Sequence, residues 1–137
     1  MKFLGALALL ASGAHASLGI GFTSDIPVDA FYKIGSNFAL EWKAYDASAT
    51  DTFELSISAW NSTPSGYTPG PFGSQIPVYD TVDVVLDSNV KFLDQKYLWP
   101  VNPIDGNGIF VGEEFYYSFT AHFGLTWDSP RAFHIED

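Results

Sequence analysis

The sequence predicts an all-β fold, a β-sandwich of about seven short antiparallel strands with no disulfide. Apolar and polar residues alternate with period two in several segments, and helical spacing is not sustained beyond the first residues. Clusters of Gly, Asn, Asp and Pro separate these segments, as turns require. The 12 Phe, 7 Tyr and 4 Trp supply large core side chains, and the chain has no Cys.

The beginning of the chain has the pattern of a secretory leader. Lys2 gives a positive start, residues 3–11 form an apolar run, and Ala14-His15-Ala16 is a small-x-small cleavage motif. We therefore expect residues 1–16 to be a signal peptide and residues 17–137 to form one domain. The expected location is extracellular or in a cell wall.

Six segments after the leader are predicted as strands because they alternate apolar and polar residues. In chain order they are 38–43, 53–59, 82–86, 90–93, 115–123 and 132–135. Alternate residues from Phe115 to Phe123 share one face, which is predicted to line the core. Trp42 shares a face with Phe38 and Leu40 and is predicted to be a central core residue.

A sandwich of this size, about seven strands in about 120 residues, is typical of immunoglobulin-like domains. A closed barrel is the alternative, because periodicity along a strand does not distinguish two facing sheets from one closed sheet.

The charge balance excludes several classes of partner. With 16 Asp and Glu against 6 Lys and Arg, the formal charge is −10, which is unsuited to nucleic acid or to an anionic membrane surface. The absence of Cys removes thiolate metal sites and cysteine nucleophiles. We expect no cofactor, no membrane partner and a monomer.

Four motifs, in order, resemble one family of fungal cell-wall domains. They are Gly35-x-x-Phe-x-Leu-x-Trp42, Tyr97-Leu98-Trp99-Pro100-Val101, Gly112-Glu113-Glu114-Phe115-Tyr116-Tyr117 and Ser129-Pro130-Arg131-Ala132-Phe133-His134-Ile135. The family is the N-terminal immunoglobulin-like domain of yeast cell-wall synthesis proteins, the killer-toxin-resistance and homologue group. It also occurs in Ser/Thr-rich, lipid-anchored fungal surface proteins. The resemblance covers residues 18–137.

This resemblance implies an immunoglobulin-like fold and a role in assembling or remodelling β-1,6-glucan, with no catalytic site. The sequence departs from the family pattern in two places. Family members usually continue into a Ser/Thr-rich stalk, whereas this sequence ends at Asp137, and the segment 60–77 is longer and richer in proline than family members lead us to expect. The matched residues are mostly core aromatics and turn glycines, so they imply fold rather than chemistry.

No residue pattern predicts catalysis. Glu113 and Glu114 are adjacent, and neighbours on a strand point to opposite faces, so they do not flank one glycosidic bond. A copper-binding alternative requires cleavage that leaves His15 as the N-terminus, with His122 or His134 as a further ligand. Both of these histidines fall on the polar face of their predicted strands, where solvated side chains are usual.

The segment 60–77 is predicted to be irregular and to carry the binding site. Trp60, Tyr67 and Phe72 lie in it, outside any alternating core pattern, and aromatic rings stack on the apolar faces of sugars. The alternative is that these three rings fold back and cap the sandwich. Asn61-Ser62-Thr63 is an N-glycosylation acceptor, so a glycan is predicted on Asn61.

Together these observations predict a secreted, non-enzymatic domain associated with the fungal cell wall that binds or organises β-glucan. The alternative is a secreted interaction protein or effector that acts on a host or competitor. The partner is then a cell-wall polysaccharide or an extracellular protein.

Overall fold

The computed structural model describes residues 17–137, so the predicted signal peptide and His15 lie outside the described residues. The prediction of an all-β fold is confirmed. The strands are β1 (Gly19–Phe22), β2 (Phe31–Lys33), β3 (Asn37–Tyr45), β4 (Thr52–Asn61), β5 (Gly66–Pro69), β6 (Gln75–Val78), β7 (Thr81–Lys91), β8 (Lys96–Pro100), β9 (Phe115–Phe123), β10 (Thr126–Asp128) and β11 (His134–Glu136). Two single-turn 3-10 segments, Pro71–Gly73 and Phe92–Asp94, complete the regular structure. Within residues 17–137, no helix has the length and apolarity needed to cross a membrane.

Seven of the eleven strands form two antiparallel sheets. One sheet has the order β1-β3-β8 and the other has the order β10-β9-β4-β7. Two short pairs lie outside these sheets: β5 with β6, and β11 with β2. The β11–β2 pair is parallel, which differs from the all-antiparallel prediction.

Two predicted boundaries were wrong. Residues 82–86 and 90–93 were expected to be separate strands, but one strand, β7, runs through the Asp87-Ser88-Asn89 segment to Lys91 with a register irregularity opposite Leu55. Residues 60–77 were expected to be irregular, but β4 continues to Asn61 and a β5–β6 hairpin follows. Tertiary pairing with β9 and β7 extends β4 through Trp60.

The two sheets pack through aromatic side chains. The ring of Phe38 on β3 stacks on that of Phe119 on β9 at 5.6 Å, and Trp99 on β8 meets Phe119 edge-on at 5.5 Å. At the other end Trp42 meets Phe53 of β4 edge-on at 5.3 Å. Burial of aromatic surface on this scale stabilises a small domain without a disulfide.

Phe133 lies at the centre of this aromatic packing. Its side chain is fully buried, and its ring lies within 5.4–6.0 Å of five other rings from both sheets and β2. Its backbone N–H and carbonyl pair with the carbonyl and N–H of Tyr117 at 2.9 and 2.8 Å. The segment that leads into β11 is therefore anchored by both its backbone and its side chain.

Trp42 occupies the core as predicted. It is 2% exposed, and its indole N–H donates to the carbonyl of Phe92 at 2.9 Å. This bond satisfies the one polar atom of a buried indole and joins β3 to the turn after β7.

Tyr117 ties the start of β9 to the preceding loop. Its ring is fully buried, and its hydroxyl donates to the carbonyl of Phe110 at 2.8 Å. A tyrosine near the start of a strand that bonds back to upstream backbone is a feature of Greek-key sandwiches. Burial raises the pKa of Tyr117 to about 12; a backbone hydrogen bond from Ile104 opposes this rise and the charge of Asp105 adds to it.

Phe133→Ala should lower the free energy of unfolding by about 3–5 kcal/mol, because it leaves a cavity among five rings. Phe72→Ala is the matched control: the same atoms are removed from a side chain that is fully exposed. Its effect should stay within about 0.5 kcal/mol. Urea unfolding of both variants measures the difference, and similar losses for the two would show that Phe133 does not anchor the core.

Tyr117→Phe should change how stability depends on alkaline pH. Because the folded-state pKa lies above the usual value of about 10, the phenol contributes stability below that pH and loses it as the pH rises towards 12. At pH 7 the variant should be less stable to unfolding by about 1 kcal/mol, because it lacks the hydrogen bond from the hydroxyl to the Phe110 carbonyl. Between pH 10 and 12 its stability should fall less steeply than that of the parent. Parallel slopes in urea unfolding over this range would contradict the assignment.

Candidate functional site

The three aromatic residues predicted as one binding platform do not lie together. Trp60 was predicted to lie in a loop, and this is wrong. It lies near the end of β4, where its ring stacks on that of Tyr116 of β9 with centroids 5.9 Å apart. Tyr67 lies on β5 and Phe72 in the turn between β5 and β6. Within the described part of the chain, the aromatic pair that Trp60 forms is with Tyr116 and not with Tyr67 or Phe72. Tyr67 and Phe72 do not cap the sandwich, since Tyr67 is 62% exposed and Phe72 fully exposed.

Trp60 instead belongs to the outer face of the four-stranded sheet. The inward residues of β4 and β9 are buried, so the alternate residues of these strands must face away from the core. We define the outer face as these residues together with their pairing partners on β7 and β10. It comprises Glu54, Ser56, Ser58, Trp60, Thr81, Asp83, Val85, Tyr116, Ser118, Thr120, His122 and Trp127.

A hollow of about 370 Å³ lies on the outer face. Its lining residues combine three hydroxyl groups, two carboxylates, two valines and one indole: Ser56, Ser58, Thr120, Glu54, Asp83, Val84, Val85 and Trp127. Its volume lies within the range of small-molecule sites. No Lys or Arg lines it, so its polar groups are hydroxyls and carboxylates.

The polar groups of the hollow are held by cross-strand pairs. Ser58 on β4 pairs with Asp83 on β7, and its hydroxyl donates to the Asp83 carboxylate. The Thr120 hydroxyl lies 3.1 Å from that of Ser129. Side chains positioned on paired strands keep their spacing better than side chains on loops.

Trp127 provides an open aromatic surface at the edge of the hollow. One face of its indole lies on the ring of His122, with centroids 3.6 Å apart and planes 10° from parallel. The side chain is nonetheless 65% exposed, so the opposite ring face is open to solvent. No sequence pattern marks Trp127, because β10 has three residues and is too short to show alternation.

A second hollow, of about 410 Å³, lies where the edges of the two sheets approach each other, between β1 and the segment after β10. Its polar side chains bind neighbouring backbone: Arg131 donates to the carbonyl of Ile26 at 3.0 Å, and the Ser24 hydroxyl accepts from the N–H of Glu41. These contacts close the edge of the sandwich, so we assign this hollow a structural role.

His134 was predicted to be solvated, and this is wrong, because it is 2% exposed. Its Nδ1 lies 2.9 Å from the carbonyl of Phe115, and its ring is sandwiched between Phe31 at 4.7 Å and Tyr116 at 4.3 Å. Its Nε2 lies 3.5 Å from a carboxylate oxygen of Asp29. These contacts join β11 to β2 and β9, which is a structural role. His122 does lie on the outer face, as predicted.

Among residues 17–137, the carboxylates and histidines singled out in the sequence do not gather into a metal-binding cluster. Glu113 and Glu114 are both exposed in the turn before β9. No three His, Asp or Glu side chains of the described chain come close enough to hold a metal ion. The copper-binding alternative depends on His15, which lies outside the described residues. The carboxylate of Asp105 accepts hydrogen bonds from the N–H groups of Gly108 and Ile109 at 3.1 and 2.8 Å, which shapes a turn.

Asn61, the predicted glycosylation site, ends β4 at the base of the β5–β6 hairpin. Its side-chain oxygen accepts from the N–H of Thr63 at 2.9 Å. A glycan here remains a prediction. A mass decrease on endoglycosidase treatment of the protein expressed through the secretory pathway of a eukaryotic host, absent in Asn61→Gln, would verify it; equal masses before and after would contradict it.

No family model, no curated protein and no solved structure matches this chain. The immunoglobulin-like assignment and the cell-wall family therefore remain predictions from the sequence motifs.

Proposed function

We propose that this chain is a secreted, non-enzymatic domain of the fungal cell wall that binds β-glucan through the outer face. The observation that carries the proposal is the open indole of Trp127 beside a hollow lined by hydroxyls and carboxylates. The motif resemblance to cell-wall synthesis domains supports the same assignment.

The chemistry of the hollow suits a neutral sugar. The apolar face of a sugar ring stacks on an exposed indole, and its hydroxyl groups donate to carboxylates such as Glu54 and Asp83. The same carboxylates, with no Lys or Arg in the lining of the hollow, repel phosphate and uronic acids. β-Glucan is an uncharged polymer and meets both conditions.

The spacing of aromatic pairs favours a polymer over a single sugar. Trp60 and Tyr116 stack at one end of β4, and His122, opposite Glu54, stacks with Trp127 at the other. Trp60 is six positions after Glu54 on β4, which corresponds to about 20 Å at the rise per residue of a β-strand. A chain of several sugar rings spans this distance, with Ser56 and Ser58 between the two pairs.

Trp127→Ala should weaken retention on insoluble β-1,3/1,6-glucan by about tenfold, because one stacked aromatic contributes about 1 kcal/mol or somewhat more. Its unfolding midpoint should remain that of the parent, since the indole is largely exposed. Tyr45→Ala is the matched control, because Tyr45 is a half-exposed aromatic residue on β3, in the opposite sheet.

Four results would count against the proposal. If the parent does not bind β-glucan, the wall-binding function is wrong and the interaction-protein alternative replaces it. If Trp127→Ala binds as the parent does, the site lies elsewhere. If Tyr45→Ala loses as much, retention is a general property of exposed aromatics. Stronger binding to polygalacturonate than to β-glucan would contradict the argument from charge.

A further inference from the structure

The indole of Trp127 projects from a part of the sheet that has few partners. Strand β10 has three residues, pairs with β9 alone and forms one edge of the four-stranded sheet. The turn that leads into it has Gly124 at a φ of 59° and leaves Leu125 99% exposed. The Trp127 side chain is itself 65% exposed. A side chain so placed changes rotamer freely unless a neighbour restrains it.

His122 stands on a better anchored backbone. It lies on β9, which pairs with β10 on one side and with β4 on the other, where its partner is Glu54. The residues before and after it belong to the core: Ala121 is fully buried, and the ring of Phe123 meets that of Phe92 edge-on at 5.0 Å. Because successive side chains of a strand point to opposite faces, this anchoring directs the imidazole to the outer face.

The imidazole and the indole are in full contact. Their centroids lie 3.6 Å apart and their planes are 10° from parallel, so the imidazole covers one face of the indole at van der Waals distance. The other aromatic pair of the outer face, Trp60 with Tyr116, has centroids 5.9 Å apart, which is an offset arrangement. The closer overlap leaves the Trp127 indole less room to change its orientation.

We propose that His122 is a positioning residue of the glucan site, which holds the indole of Trp127 in one orientation with its second face open to the sugar. This inference rests on the proposed function of the outer face. Trp127 lines the hollow and His122 does not, because the indole lies between the imidazole and the ligand. His122 therefore acts on the ligand through Trp127.

The benefit of this support is that the indole is ordered before the sugar arrives. Immobilising one side chain on binding lowers affinity by about twofold to tenfold. In the stacked pair the side chain is already ordered in the free protein, so the sugar meets a prepared surface. An indole without the imidazole beneath it has to lose its rotamer freedom when the sugar stacks on it.

A measurement without ligand tests whether the pair forms in solution. An indole shields protons that lie over its face, so the carbon-bound ring protons of His122 should resonate upfield of those of free histidine. His122→Phe identifies these signals in the proton spectrum by their loss, and Trp127→Ala should return them to the position of free histidine. Unshifted His122 signals in the parent would overturn the proposal without reference to any glucan.

The affinity for soluble β-1,3/1,6-glucan tests the role in binding. His122→Ser should weaken it by about fivefold, because the indole is no longer held. His122→Phe should stay within about twofold of the parent, because a phenyl ring restores a stacking surface. Leu125→Ser removes an exposed side chain from the turn of the same hairpin and is the matched control, so it should bind as the parent does. All three variants should keep the unfolding midpoint of the parent.

A double-mutant cycle separates positioning from direct contact. Because His122 acts through Trp127, His122→Ser should cause no further loss of affinity in a chain that already carries Trp127→Ala. Additive losses would show that His122 touches the ligand itself, which contradicts the proposal. It is also wrong if His122→Ser binds as the parent does, or if His122→Phe binds as weakly as His122→Ser.

The outcomes distinguish this inference from the glucan proposal. Binding that depends on Trp127 but not on His122 would leave the glucan proposal standing and remove the positioning role. Shielded His122 signals in a parent with no affinity for β-glucan would overturn the glucan proposal and, with it, the role of His122 in binding; the stacked pair would then be a structural contact of the β9–β10 hairpin.

Discussion

Burial of the Phe133 ring between the two sheets is the constraint on which the rest of the structure depends. It is the contact that brings rings from β2, β3, β8 and β9 together around one side chain. Its backbone pairing with Tyr117 places the next residue, His134, against Phe31 and Tyr116. A chain without Cys has no covalent link between its sheets, so aromatic packing performs this task.

The outer face follows from that core. Because the inward residues of β4 and β9 are buried between the sheets, the pleat places serines, threonine and carboxylates on the opposite side. These two strands are paired along their length in the centre of their sheet, which makes their outward side chains well positioned for binding. The same strand pairing places Trp60 beside Tyr116 at one end of this face and His122 beside Trp127 at the other.

The outer face and the β5–β6 hairpin differ in chemistry. The outer face has carboxylates and hydroxyls around the single open indole of Trp127, which is the composition of a site for polar, uncharged ligands. The hairpin, residues 62–79, carries no charged side chain.

The sequence by itself determined the all-β class and the burial of Trp42 and of the inward face of β9, because alternation is a local property of each strand. Only the tertiary structure decided where Trp60, Trp127 and His134 belong. Trp60 precedes a proline-rich segment, so the local pattern predicts a loop at this position. Pairing with Tyr116 of β9 extends strand β4 through Trp60 instead. Trp127 acquires its role from stacking on His122 across a hairpin. His134 is buried because Phe115 and Asp29, distant in sequence, lie beside its ring nitrogens, and no local pattern records such a partner.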